Sequence, residues 1–310
     1  MNFLDQYHNC QLCPRKCKVD RSRGKVGVCG ETSELRISHV GPHFGEEPSI
    51  SGSRGSGTIF FDGCSSRCFF CQNYQISAAH HGEIYSADRF FETVKDLIDK
   101  KVHNLNFVTP DHFWPHIKEL CLKLRALSFP IPKVFNSSGY QLPEMISEYS
   151  EFMDIFMPDF KFADPDLARE CMGDERYPEI ALEAIREMVD ARGFLDPWDP
   201  SGERVAERGV LVRHLVLPGH VENSLETLDQ LHAEFGDGLP ISVMSQFRPV
   251  PACFAKNSLT RGVTPQEYDL VLAKVKELGF EKVYTQILSD QTDYLPDFNN
   301  SGDPFPGHRK

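Results

Sequence analysis

The stretch Phe61-Asp62-Gly63-Cys64-Ser65-Ser66-Arg67-Cys68-Phe69-Phe70-Cys71-Gln72-Asn73 constrains this chain more than any other. Three cysteines fall in a short polar loop directly after Thr58-Ile59-Phe60-Phe61, which reads as a buried strand. Three thiolates at this spacing can ligate three irons of a cubane cluster, whose usual complement is four cysteines. No fourth cysteine stands nearby, so one iron would be left open to a chelating ligand, by the logic of an open catalytic zinc. The competing reading is structural zinc. That would need a fourth ligand, and none follows until His80 and His81.

A second group precedes it: Cys10-x2-Cys13-x3-Cys17-x11-Cys29. Gly24, Gly27 and Gly30 would let the backbone turn tightly around a metal. Four thiolates suit either structural zinc or an auxiliary four-iron, four-sulfur (4Fe–4S) cluster. Cys13-Pro14 and the three-residue gap lean toward iron–sulfur, in which case the group could relay electrons to the first cluster. Residues 1–55 are rich in Cys, Gly, Arg and Ser and show little periodicity, so a bound metal would supply folding energy that a small core cannot. Cys121, Cys171 and Cys253 stand alone and read as buried packing residues.

With 310 residues the chain can form one large domain or two small ones. Its formal net charge of −12 offers no basic field for nucleic acid and suits a basic partner or a cationic ligand better. No apolar run approaches the ~20 residues of a membrane span, and Met1 to His8 is polar, without the apolar stretch of a signal peptide. These readings give no nucleic-acid partner, no membrane and a cytoplasmic location, where disulfides are disfavoured and clustered cysteines point to metals.

From Gly57 onward strands and helices alternate. Strands are expected at Thr58–Phe61, Leu105–Val108, Pro132–Phe135, Phe152–Met157, Val210–Leu217, Ile241–Met244 and Val283–Ile287. Phe90, Phe91, Val94, Leu97 and Ile98 have helical spacing, and a second helix is expected from His112 to Leu127. Asn223 and Glu226 have capping-box spacing, and Thr264-Pro265-Gln266-Glu267 is a strong helix start ended by Gly279. Gly173–Gly209 reads as an insertion, with a surface loop at 193–209. Such alternation implies a parallel sheet, whose ligands bind at the carboxyl ends of strands. Cys64, Thr109, Asn136, Asp159, Pro218 and Gln246 lie at those ends.

The Cys-x3-Cys-x2-Cys spacing after a first strand, with an aromatic before the last cysteine, resembles the radical S-adenosylmethionine (SAM) superfamily. Gly63-Cys64 and Cys71-Gln72-Asn73 resemble its pyruvate formate-lyase activating enzyme branch. Glu46-Glu47-Pro48, Ile50-Ser51-Gly52, Gly55-Ser56-Gly57-Thr58, Pro158-Asp159-Phe160-Lys161 and Arg213-His214-Leu215-Val216-Leu217-Pro218-Gly219 resemble an uncharacterised group homologous to that activator. The resemblance implies an α/β fold: a partial (β/α)6 barrel over 56–290, with a Cys-rich metal-binding extension at 1–55 and a tail at 291–310. It implies a 4Fe–4S cluster on Cys64, Cys68 and Cys71, SAM chelated at the open iron, and a 5′-deoxyadenosyl radical that abstracts hydrogen.

By the same resemblance Asn136, Ser137, Met157 and Asp159 would surround SAM and a monovalent cation, with Lys161 completing an Asp-x-Lys pattern. The plainer reading of these positions is a strand-end turn with a surface ion pair. Phe70 would stack on the adenine or simply fill core. Arg213 and His214 would face SAM or fill the barrel. Two departures stand out. Thr109-Pro110-Asp111-His112 replaces the usual Gly-Gly-Glu turn, and Gln246 stands where activators carry a His. The implied partners are a low-potential electron donor of flavodoxin or ferredoxin type and a protein or peptide substrate, the latter as for a glycyl-radical activating enzyme. A small-molecule substrate is the second enzymatic reading. A zinc and iron–sulfur scaffold or electron carrier without SAM chemistry is the alternative from another class.

Overall fold

The computed structural model describes residues 3–288, 295–300 and 302–305, so the expected tail at 291–310 lies partly outside it. Strands β1 (Arg36–His43), β2 (Ser56–Phe61), β3 (Glu83–Ile84), β4 (Leu105–Val108), β5 (Lys133–Ser137), β6 (Ile155–Pro158) and β7 (Gly209–Val210) form one sheet in the order β3-β1-β2-β4-β5-β6-β7. Strands β8 (Val212–Leu215), β9 (Ile241–Met244) and β10 (Val283–Thr285) form a second. The helices are α1 (Pro48–Ser51), α2 (Tyr74–Ser77), α3 (Ala87–Asp99), α4 (Trp114–Ala126), α5 (Pro143–Ser150), α6 (Pro165–Met172), α7 (Tyr177–Arg192), α8 (Val221–Phe235), α9 (Pro251–Lys256) and α10 (Pro265–Leu278).

Pairing from β2 through β7, and from β8 through β10, is parallel. The core is thus the alternating strand–helix arrangement that the periodicity predicts. Register aligns Ile59, Phe107, Phe135 and Phe156 across four neighbouring strands, all of them buried. This row meets the apolar stripe of α4, where Trp114, Ile117, Leu120, Cys121 and Leu124 recur at helical spacing. Each such phenylalanine contributes on the order of 2–3 kcal/mol by leaving water. The other face of the sheet aligns Phe60, Val108, Asn136 and Met157.

Several expectations are corrected. Val210–Leu217 is not one strand, because pairing changes sheets at Leu211. Leu211 N donates to Phe156 O at 3.1 Å and Phe160 N to Arg213 O at 2.8 Å, but Pro158 between them has no N–H to give. The two sheets stay joined through an Asp159–Arg213 bridge. Asn223 is no cap. Helix α8 starts at Val221, and the buried Asn223 carboxamide accepts from the backbone N–H of Ala163 and Asp164 instead. Gly173–Gly209 is not mere insertion, since α7 packs on α5 and within it Ala181, Ala184, Ile185 and Met188 are buried. In the loop that follows, Leu195 and Ala206 are buried against Ile50 and Leu211. Strand β1 was not anticipated. It pairs antiparallel with β2, so a boundary at residue 55 falls between two hydrogen-bonded strands.

The Thr264 capping box is present as expected, with Thr264 and Glu267 bonding each other's backbone N–H. Helix α4 begins at Trp114, after a 3-10 turn over Asp111–Phe113. The turn after β5 depends on Gly139, whose φ of +74° suits glycine, and a Cβ there would run into the Asp159 carbonyl. Gly139→Ala is therefore expected to destabilise the fold by at least about 2 kcal/mol. Anaerobic urea unfolding checks this: an unchanged midpoint would show that the turn tolerates a side chain.

Candidate functional site

A cleft opens at the carboxyl ends of the parallel strands. It is lined by Cys64, Cys68, Cys71 and Phe70 from the loop after β2, Asn136 and Ser137 from β5, and Asp159 and Lys161 after β6. Parallel strands place their following loops on one rim, and for that reason residues distant in sequence meet here. Of the sequence-predicted site residues on the parallel strands, Met157 does not line the cleft. It stands level with Asn136 in the sheet but is fully buried against Val134, Ile155 and Leu211.

The cysteine loop is anchored from three sides. Gly63 N donates to Ile76 O at 3.0 Å, and Cys71 N to Cys68 O at 3.2 Å. Ser66 Oγ bonds Ser138 Oγ at 2.6 Å, tying the loop to the turn after β5. Ser65 Oγ donates to the buried Asp111 carboxylate at 2.7 Å. From the N-terminal segment Arg15 reaches over, with Nε 3.0 Å from Ser65 O and Nη2 3.2 Å from Ser66 O. Such second-layer contacts fix the direction of metal-ligating side chains.

Burial pushes the Cys64 thiol up to about 11 and the Cys68 thiol higher still. A cation at the sulfurs is what converts such thiols to thiolates. Cys121, Cys171 and Cys253 are buried in the apolar core, as the packing reading expects. Among the described residues lining the cleft, Cys64, Cys68 and Cys71 are the thiols. The donor set therefore fits a 4Fe–4S cluster with one iron free of protein ligand.

Lys161 ion-pairs with Asp159 beside these thiols. Burial opposes the ammonium, but the Asp159 carboxylate outweighs it and holds the Lys161 pKa above its ordinary value. Tyr177 Oη accepts from Lys161 N at 2.8 Å and lies 2.8 Å from Ser138 O, so the ion pair rests on a buried phenol. On the adjoining strand Arg213 ion-pairs with both Glu46 and Glu47, and Asn106 Nδ2 donates to Glu46 at 3.0 Å. Burial would raise the Glu46 carboxyl, yet Arg213 outweighs it and keeps Glu46 below the usual range. One guanidinium thus faces two carboxylates at the cleft wall.

Residues left with two readings now separate. Arg213 lines the cleft. His214 points the other way and is buried, with Nδ1 2.7 Å from Phe160 O and Nε2 2.9 Å from Ser224 Oγ, and burial pulls its pKa down to about 4. Phe70 is buried against Phe162 and Phe247 and also lines the cleft. Gln246 belongs to a glutamine chain, Gln72–Gln246–Gln286, across the mouth.

Sequence reasoning missed two features. Glu31, Asp62 and His80 bring ligand atoms within 4.8 Å of one another and form a candidate metal-binding group. Its atoms are also engaged within the protein: His80 Nδ1 lies 2.5 Å from Glu31, and Gly82 N donates to Asp62 at 2.7 Å. His80 thus turns to Glu31, away from the zinc reading weighed for it. The second feature is Phe305, from the tail, which packs on Phe60 and lines the cleft. Neither left a local signal, because each depends on contacts between distant segments.

Residues 58–232 match the Radical SAM superfamily. An uncharacterized protein of Methanocaldococcus jannaschii is 27% identical over 285 residues, covering 90% of this chain and 77% of that protein. Among solved structures, Streptococcus suis SuiB bound to the precursor peptide SuiA is similar at a TM-score of 0.49 and 11% identity, over 72% of this chain and 46% of that one. HydG, a maturase of the FeFe hydrogenase, is similar at 0.49 and 12% identity, over 73% and 50%. The chain spans about half the length of those two proteins. No helix among the described residues is long and apolar enough to cross a membrane. Matched over more than half of its length, the chain belongs to the radical SAM superfamily.

Proposed function

We propose that this chain binds SAM in the cleft and cleaves it reductively, using a 4Fe–4S cluster held by Cys64, Cys68 and Cys71. The observation that carries the reading is the three-thiol set in one cleft beside the Asp159–Lys161 pair. When bound, the cluster supplies the electron that splits SAM into methionine and a 5′-deoxyadenosyl radical for hydrogen abstraction. The partial (β/α)6 barrel over 56–290, flanked by the 1–55 extension and the 291–310 tail, belongs to the same reading.

The protein's own groups have distinct tasks. Asp159 offers a carboxylate to the cationic end of SAM, while Lys161 pairs with it and faces the thiols. Asn136, Ser137 and Asp159 supply hard oxygen atoms suited to polar groups of SAM or to a monovalent cation. Met157 backs Asn136 from the neighbouring strand. Phe70 gives an apolar surface for the adenine. The same reading places the chain in the reducing cytoplasm, where clustered cysteines serve metals rather than disulfides.

The substrate class we infer is a protein or peptide, on the strength of the likeness to glycyl-radical activating enzymes in Gly63-Cys64 and Cys71-Gln72-Asn73. The electron comes from a low-potential carrier of flavodoxin or ferredoxin type.

Two outcomes test this. Anaerobically reconstituted protein, reduced with dithionite, should release 5′-deoxyadenosine and methionine from SAM, and alanine at Cys64, Cys68 and Cys71 together should bring product to background. A triple variant that cleaves SAM at the parental rate would sink the proposal. Asp159→Asn should weaken SAM binding about tenfold, or roughly 1.4 kcal/mol, with the iron content unchanged. Equilibrium binding under anaerobic conditions reads this, and an unaltered affinity returns Asp159 to a structural role.

A further inference from the structure

We propose that Cys10, Cys13, Cys17 and Cys29 hold a second 4Fe–4S cluster, and that the basic rim around it receives electrons from a small acidic one-electron carrier. The role rests on the reading of the cleft as a site of SAM cleavage; the metal assignment does not.

Four observations point to an anionic metal centre wired to the first. Cys10, Cys13 and Cys29 are buried, and Cys17 is partly so. The Cβ position of Gly27 lies 3.3 Å from Cys29 Sγ and 3.4 Å from Cys17 Sγ, so a side chain there would crowd both sulfurs. Arg21 is wholly buried, with Nη1 3.7 Å from Cys10 Sγ and its guanidinium 4.5 Å from the Tyr7 ring centre. Its other partners are backbone carbonyls of Glu31, Thr32 and His112, and the buried Asp111 carboxylate acts on it only from beyond ion-pair distance. A buried guanidinium needs a countercharge. Neutral thiols supply none, whereas four thiolates around a metal do.

Iron–sulfur fits better than zinc on spacing. Cys13-Pro14 and the three-residue gap between Cys13 and Cys17 match iron–sulfur spacing better than the paired ligands of a zinc site.

The two cysteine groups also touch. Cys64 N donates to Cys29 O at 3.2 Å, so one hydrogen bond links a ligand of each set. Gly63, at φ +75°, permits this approach, since a Cβ there would lie 2.7 Å from Cys29 O. A purely structural zinc would gain nothing from this join.

The outer rim has the character of a docking surface. Lys16, Lys18, Arg23 and Lys25 are exposed on a chain of net charge −12, and Val26 and Val28 are 57% and 43% exposed among them. Lys16 pairs with Glu144 and Arg23 with Asp20, leaving a local excess of positive charge. An acidic carrier is complementary to that patch. The reduced carrier loses one electron to the N-terminal centre, which passes it to the centre at Cys64, Cys68 and Cys71. There the electron is consumed in splitting the sulfonium S–C bond, and no proton moves.

The whole chain, reconstituted anaerobically, should contain about eight irons and no zinc, as for two cubanes. The Cys64→Ala, Cys68→Ala, Cys71→Ala variant should keep about four irons and give a paramagnetic signal on reduction. Zinc in place of half that iron, or a lone cluster in the parent, overturns the assignment whether or not SAM is cleaved. Lys18→Glu with Lys25→Glu, in the otherwise native chain, tests the rim. Its reduction by reduced flavodoxin, followed by stopped-flow absorbance at low salt, should slow at least about tenfold, the gap closing as salt rises. Reduction by dithionite should keep its rate. Equal effects with both reductants, or with neither, contradict the docking role.

Discussion

Everything at the cleft depends on holding the loop from Cys64 to Cys71 in one conformation at the end of a buried strand. The loop stands where β2 leaves the sheet, and apart from Phe69 and Phe70 its side chains bring little apolar burial. Its order comes from outside. Ser138, Asp111 and Arg15 hold it by hydrogen bonds from three separate segments, and the Cys29 carbonyl receives its first cysteine's N–H. Because those partners sit on the turn after β5, on the turn before α4 and on the N-terminal segment, the loop can form only once these parts are assembled. A binding loop supported by rigid elements is what precise ligand placement requires.

The cleft wall carries charge that the interior must balance. Arg213 against Glu46 and Glu47, and Lys161 against Asp159, form two adjoining sets whose members are largely removed from water. Breaking such a pair strands a charge at a cost of several kcal/mol, while the intact pair adds little net stability. Charges kept at that risk serve placement better than stability. The first set offers a spare carboxylate to whatever occupies the cleft, and the second faces the thiols.

Much of the alternating α/β core was legible in the sequence because parallel strands buried on both faces leave apolar runs, as at Ile155–Met157. The Thr264 helix start was legible because a capping box is local chemistry. What stayed hidden was non-local. Strand β1 reads Arg-Ile-Ser-His-Val-Gly-Pro-His, without a clean alternation, and its pairing with β2 decides its state. The split at Leu211 follows from Pro158 on another strand. Asn223 has the residue type and spacing of a cap, but loop atoms sixty positions away claim its side chain. At the candidate site the cysteine spacing could be read directly. The double pairing of Arg213 could not, because its partners lie 166 and 167 positions away.

The most direct test of the central claim is whether SAM itself binds an iron of the cluster. Electron–nuclear double resonance on the reduced, anaerobic protein, with SAM isotope-labelled at its amino nitrogen and carboxylate oxygens, reads that contact. The account predicts hyperfine coupling from both labelled groups to the cluster spin. A full cluster signal with no coupling to either group would contradict it.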